Sequence, residues 1–219
     1  MPTSDPEGQV RRLAAESLAA NDVTGWFEEL YRAASRGEAV VPWDRGGPHP
    51  LLEQWAAGRA IAAGRALVVG AGLGGDAELV AGLGYATTAF DVSATAVQSA
   101  RERFPLSVVD YLVADLLDPP VEFRGAFDLV VESLTVQSIP RAVRAAATEN
   151  VSSFVAPGGT LLVIASELGD GDPDSGPPWP LTRAEVEAFG SGGVRVESIE
   201  LLPAPQDPTA RRWLAEFTR

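Results

Sequence analysis

The 219-residue chain contains no cysteine. Disulfides, thiolate–zinc sites and cysteine nucleophiles are thereby excluded, and no metal site is expected. It contains no lysine either, since all 17 of its basic residues are arginine. That removes the P-loop lysine, Schiff-base chemistry and a Tyr-x-x-x-Lys catalytic pair together. Positive charge is scarce overall: 30 acidic residues leave a formal net charge of −13. So acidic a surface repels phosphate backbones and anionic bilayers, so nucleic acid and membranes are not expected as partners. No apolar run is long enough to span a membrane. The stretch "VRRLAAESLAA" has the outline of a twin-arginine leader, but Glu16 interrupts its apolar segment, and an amphipathic first helix is the better reading. A cytoplasmic location is expected, with a monomer plausible.

What is present is apolar and periodic. Hydrophobic residues make up 46% and charged residues 21%, enough for a sizeable core in one α/β domain. Residues 9–20 and 22–36 read as helices, the second with Asp22 or Thr24 as N-cap. "VVPWDRGGPHP" is a loop leading to a helix that starts near Leu51. Five near-continuous apolar runs follow, at 65–70, 86–91, 109–114, 127–132 and 159–166. Such runs fit parallel strands covered on both faces. Helices are expected between them at 75–84, 93–103 and 140–155, with Pro157-Gly158-Gly159 turning the chain into the fifth strand. "DGDPDSGPPWP" reads as a flexible insertion and "LTRAEVEAF" as a capped helix. The last two strand-like runs, "GVRVESIELL" and "RRWLAEFTR", have no helix between them. The expected fold is a doubly wound, seven-stranded Rossmann-like sheet with an antiparallel last strand. Residues 61–219 form its core, and residues 1–60 an N-terminal helical lid of the same domain.

The stretch "ALVVGAGLGGDAELVAGLGYATTAFD" carries the chemistry. It reads strand, glycine loop, helix, strand, with G-x-G-x-x-G at Gly70, Gly72 and Gly75 and an acid, Asp91, closing the second strand. Gly70 and Gly72 let a ligand approach the backbone, and Asp91 stands where a carboxylate can accept both ribose hydroxyls of an adenosine. The pattern serves dinucleotides and S-adenosylmethionine alike. Asp115, in "YLVADLLDPP", closes the third strand, either to accept from an adenine amino group or to cap the next turn, and Leu116 could lie on the ring. The closing hairpin and the long N-terminal segment favour S-adenosylmethionine.

Further motifs carry a resemblance. "PWDRGGPHPL", Pro42 to Leu51, resembles the P-W-D-x-G-x-x-x-P-L segment of the thiopurine and thiol/halide methyltransferase family. "GRALVVGAGLGGDA" resembles that family's G-R-A-L-x-P-G-C-G-x-G-x-D, with Ala71 for the cysteine, and "FDLVVES", "APGGTLLVI" and "SGPPW" follow in the family's order. The resemblance implies a class I methyltransferase with Trp26, Leu30 and Trp43 covering S-adenosylmethionine. It puts Gly70 at the methionine part, Asp91 at the ribose, Asp115 and Leu116 at the adenine, and Ser133 beside them, with Gly72 and Val92 also among the cofactor-binding residues. Gln137 and Trp179 fall on the substrate side. After the fourth strand this chain has "ESLTVQ", where thiol/halide members carry aromatics and thiopurine members an arginine.

A sulfonium methyl is already activated, so transfer needs mainly alignment and exclusion of water. A thiol, with a pKa of about 8.5, needs little help to ionise; a phenol or amine would profit from a base. Glu132 is the candidate base or substrate anchor, the alternative being a partner for backbone N–H groups. His49, the one histidine, sits between two prolines and reads as an exposed or packing residue. Trp179 reads equally as a cavity wall or as ordinary packing. The expected activity is methyl transfer to a small-molecule nucleophile, possibly a thiol. The rivals are an NAD(P)-binding oxidoreductase and a non-catalytic nucleotide-binding module on the same fold.

Overall fold

The computed structural model describes residues 5–59, 63–169, 176–205 and 207–219. Three helices come first: α1 (Pro6–Ala19), α2 (Gly25–Ser35) and α3 (Pro50–Ala56). Strands and helices then alternate as β1 (Arg65–Val69), α4 (Gly75–Gly82), β2 (Ala86–Asp91), α5 (Ala94–Arg103), β3 (Asp110–Val113), β4 (Phe127–Ser133), α6 (Arg141–Ser153) and β5 (Val155–Ser166). The chain closes with α7 (Arg183–Glu187), β6 (Arg195–Ala204) and β7 (Asp207–Thr218). One seven-stranded sheet has the order β3-β2-β1-β4-β5-β7-β6, and β7 alone runs against its neighbours.

Both faces of the sheet are covered, as the continuous apolar runs require. Alternate residues of β1 enter different cores: Leu67 and Val69 meet Trp26, Leu30 and Val151 on one face, and Ala66 and Val68 meet Ala77, Val80 and Val97 on the other. Strand order reverses between β1 and β4, which opens a crevice at their carboxyl ends, where such sheets bind ligands.

One local detail differs from the sequence reading, and one open choice is resolved. The Pro157-Gly158-Gly159 turn does not precede β5 but is folded into it. Phe127 pairs with Val155 and Leu129 with Thr160, so the intervening residues bulge out of the ladder. Thr24 stands at the N-cap of α2 without a side-chain bond, and the capping is done by Asp22, whose Oδ1 accepts from Thr24 N at 3.1 Å and Gly25 N at 2.7 Å. α7 has a full capping box between Thr182 and Glu185. Most of the expected insertion, residues 170–175, lies outside the described residues.

Candidate active site

β1 ends in a loop whose glycines are demanded by geometry. Gly70, Gly72 and Gly74 have φ of 68°, 50° and 90°, a region that side chains disfavour. Gly75 opens α4 for a different reason: a Cβ there would lie 2.5 Å from the Gly47 carbonyl oxygen. It is the contact point between the glycine loop and the tryptophan loop. The Asp91 carboxylate is pinned by two backbone donors, Gly72 N to Oδ2 and Ser93 N to Oδ1, each at 2.9 Å. Burial nevertheless pushes its pKa up to about 6 against the pull of those N–H groups, with the Glu28 charge adding to the rise.

A cavity of about 420 Å³ opens over this loop. Trp43, Gly70, Gly72, Asp91, Val92, Asp115, Leu116, Ser133 and Gln137 all line it. Asp115 also does the work of a cap, its Oδ1 accepting from Leu117 N at 2.8 Å. Ser133 hydrogen-bonds Asp76, which also accepts from His49 N at 2.6 Å. Gln137 joins two strands of chain to the cavity: its Oε1 accepts from Ser166 N and its carbonyl from Trp179 N.

Four of the expected residues stand elsewhere. Trp26 and Leu30 are buried in the core behind the cavity, and their helical neighbours Phe27 and Tyr31 line it instead. The cause is the helical period: Trp26 and Leu30 are one i,i+4 pair, Phe27 and Tyr31 the next, turned about 100° around α2. Phe27 stacks on Trp26 with ring centroids 3.8 Å apart, and the Tyr31 hydroxyl accepts from Trp43 Nε1 at 2.8 Å. Sequence reasoning missed both; the signal was there in the second aromatic pair at helical spacing.

Glu132 is 1% exposed and does not line the cavity. Its Oε1 accepts from Thr135 N at 2.7 Å and Val136 N at 2.9 Å, while Oε2 has no partner among the described residues. Burial pushes its pKa up to about 7, opposed by those two N–H groups and by Arg144. The carboxylate holds the turn that carries Thr135 and Gln137 to the cavity, so the geometry favours the backbone-partner alternative over a base. Trp179 is buried over Gly176, its carbonyl accepting from Arg144 Nη2, and the preceding Pro177 and Pro178 line the cavity in its place.

His49 is buried, not exposed, and lines the cavity. Its Nδ1 accepts from Leu51 N at 3.1 Å, and burial together with Arg45 and Arg212 pushes its pKa down to about 3. A ring so situated is neutral and a poor base. Arg45, Ser166 and Arg212, none of them singled out by sequence, complete this end of the cavity.

Comparison with known proteins joins this geometry to a chemistry. The family model for a methyltransferase domain matches residues 66–159, the segment from β1 to the bulge of β5. The fold, the crevice and that match support a class I S-adenosylmethionine-dependent methyltransferase. It is 26% identical to a probable thiol methyltransferase 2 of Arabidopsis thaliana, over 95% of this chain and 92% of that protein. Among solved structures it resembles one concerned with conversion of a disulfide bond into a thioacetal group during echinomycin biosynthesis. That chain has 26% identity and a TM-score of 0.67, with 88% of this chain and 93% of that one covered. It also resembles the N-methyltransferase NodS of Bradyrhizobium japonicum WM9, in complex with S-adenosyl-L-homocysteine. There the TM-score is 0.65 and the identity 18%, with 87% and 98% covered. The methyltransferase-domain match does not favour the oxidoreductase or the non-catalytic alternative. Among the described residues no helix is long and apolar enough to cross a membrane.

Proposed function

We propose that the protein transfers the methyl group of S-adenosylmethionine to a small-molecule nucleophile, a thiol being the simplest. The observation that carries this reading is the single cavity running from Asp91 and Asp115, past the glycine loop, to the polar wall of Ser133, Gln137 and Ser166. The residues fit the cofactor. Gly72 offers a cradle without a side chain, where a Cβ would come within 3.1 Å of the Tyr31 hydroxyl oxygen. Asp91, already fixed by two backbone donors, keeps lone pairs for ribose hydroxyls. Leu116 and Asp115 supply an apolar face and an acceptor for adenine, and Phe27, Tyr31 and Trp43 form the cover.

Bound there, S-adenosylmethionine supplies an activated methyl group on a sulfonium. The chain's own part is to orient an acceptor against the glycine loop and keep water out. Glu132 is committed to the backbone and His49 is held neutral with Nδ1 occupied, while the carboxylate that does reach that wall, Asp76, is engaged by Ser133 and by His49 N. A nucleophile that ionises readily near neutral pH suits such a site better than a high-pKa phenol or amine. The thiol methyltransferase relative supports the same choice.

Calorimetry with S-adenosylhomocysteine and NADH, followed by transfer assays on simple thiols, phenols and amines, tests the proposal. S-adenosylhomocysteine should bind and NADH should not, and thiols should be methylated fastest. Methylation of a macromolecule with no small acceptor found would overturn it.

A further inference from the structure

The end of the cavity away from Asp91 and Asp115 concentrates positive charge in a strongly acidic chain, and the inference drawn from it rests on the function proposed above. Arg212 arrives there because β7 is antiparallel: its early residues lie at the carboxyl edge of the parallel strands. Arg212 sits opposite Ser166, the last residue of β5, and both line the cavity. Alternation along β7 puts Arg212 on the side of Leu214 and Glu216, which face the core beside α3, where Glu216 accepts from Trp55 Nε1 at 2.8 Å. The loop before α3 adds Arg45 and His49 to the same lining.

Three features suit this cluster to an anion. Arg212 makes no ion pair among the described residues; its guanidinium donates to the Arg211 carbonyl at 3.1 Å. Leu51 N occupies His49 Nδ1, so the neutral ring carries its proton on Nε2 and offers a donor. Burial lowers the pKa of both arginines, and the charge of Arg45 lowers that of Arg212 further. Asp76 offsets the cost of that burial in part for Arg45, which also donates to the Trp43 carbonyl, and Asp207 offsets it in part for Arg212; an anion lying against Arg212 in the cavity would offset it further. Ser166 and the amide of Gln137 flank the cluster with neutral hydrogen-bonding groups.

We propose that Arg212, with Arg45 and the Nε2–H of His49, binds an anionic group of the methyl acceptor, a carboxylate being the simplest. The acceptor is then a bifunctional molecule, anchored by its carboxylate while a separate nucleophilic atom lies toward the glycine loop.

The test uses the full chain saturated with S-adenosylhomocysteine and titrates acid and amide pairs by calorimetry: benzoate with benzamide, and 3-mercaptopropionate with 3-mercaptopropionamide. Each acid should bind at least about tenfold more tightly than its amide, as a charge-assisted contact implies. Arg212→Leu should erase that difference with S-adenosylhomocysteine affinity unchanged, and Arg212→Lys should keep part of it. Should the leucine variant melt early, Arg212→Gln gives the same reading. The inference is overturned if acids and amides bind alike, if neither binds, or if Arg212→Leu retains the preference. It is also overturned if a normally melting Arg212→Leu protein loses S-adenosylhomocysteine, since Arg212 would then serve the cofactor's own carboxylate. Wild-type protein that binds no S-adenosylhomocysteine defeats the proposed function itself; binding without an acid preference defeats this inference alone.

Discussion

At one end of the cavity the chain presents carboxylates, Asp91 and Asp115, at and just beyond the ends of the neighbouring strands β2 and β3; at the other it presents Arg45, His49 and Arg212, gathered from the loop before α3 and from β7. The acidic end is a product of repetition. Each βα unit turns at the same edge of the sheet, so residues closing successive strands come side by side. The basic end is a product of topology, since it forms only when an antiparallel strand is threaded beside β5. A local motif can announce the first kind of site, whereas the second exists only in the assembled sheet.

The sharpest way to break this comparison is at Asp91. Asp91→Ala should weaken S-adenosylhomocysteine binding on the order of 100-fold, the loss of two hydrogen bonds to a charged acceptor. Calorimetry reads this directly, and a loss of less than tenfold would remove Asp91 from the ribose. Next in size is the contrast along α2. Trp26→Ala should cost about 3–5 kcal/mol of stability, as for a large buried aromatic, because the ring is core. Trp43→Ala, at a half-buried ring, should cost less stability than Trp26→Ala and weaken cofactor binding. Reversed outcomes for the two tryptophans would restore Trp26 as the cover.

Glu132 gives the pH prediction. Its native pKa of about 7 lies above the ordinary 4.5, so between those values the folded protein holds more protons than the unfolded chain. Its contribution to stability therefore falls as pH rises through that window. Glu132→Gln can keep both bonds on Oε1 and removes the buried charge. It should raise Tm relative to wild type at pH 8, by on the order of a few kcal/mol of stability, and make little difference at pH 4.5. A destabilised variant with intact pH dependence would contradict this account, and a loss of activity confined to high-pKa acceptors would return Glu132 to the role of base. Smallest is Asp115→Asn, expected to lower S-adenosylhomocysteine affinity by about tenfold through the adenine contact alone. Calorimetry showing no change would leave Asp115 as a turn cap.

The sheet was legible because its evidence is local. Five apolar runs, the glycine spelling and the terminal hairpin each constrain a few residues, and together they define the order in which strands are laid down. Trp43, Gly72 and Asp91 stood out for the same reason. Trp26 and Leu30 were misplaced by a single residue because helix face, unlike helix existence, depends on what lies beneath. Glu132 drew notice as an acid at a strand end; only the course of the chain after Ser133 reveals that its oxygen is spent on Thr135 and Val136. Arg212 left no mark at all, since an arginine in a two-residue basic run is the ordinary content of an exposed strand.

The position of β7 has a consequence for how the molecule comes into being. The sheet order is β5-β7-β6, so the later strand is interior and β6, made earlier, has no ladder among the described residues except to β7. Synthesis proceeds from the N-terminus, and β1 to β5 can pair as they emerge. β6 must wait unpaired, beside an open flank of β5, until residues through Thr218 have been made. The wall that carries Arg212 therefore forms only after β1 to β5 have been made, however early the glycine loop has closed.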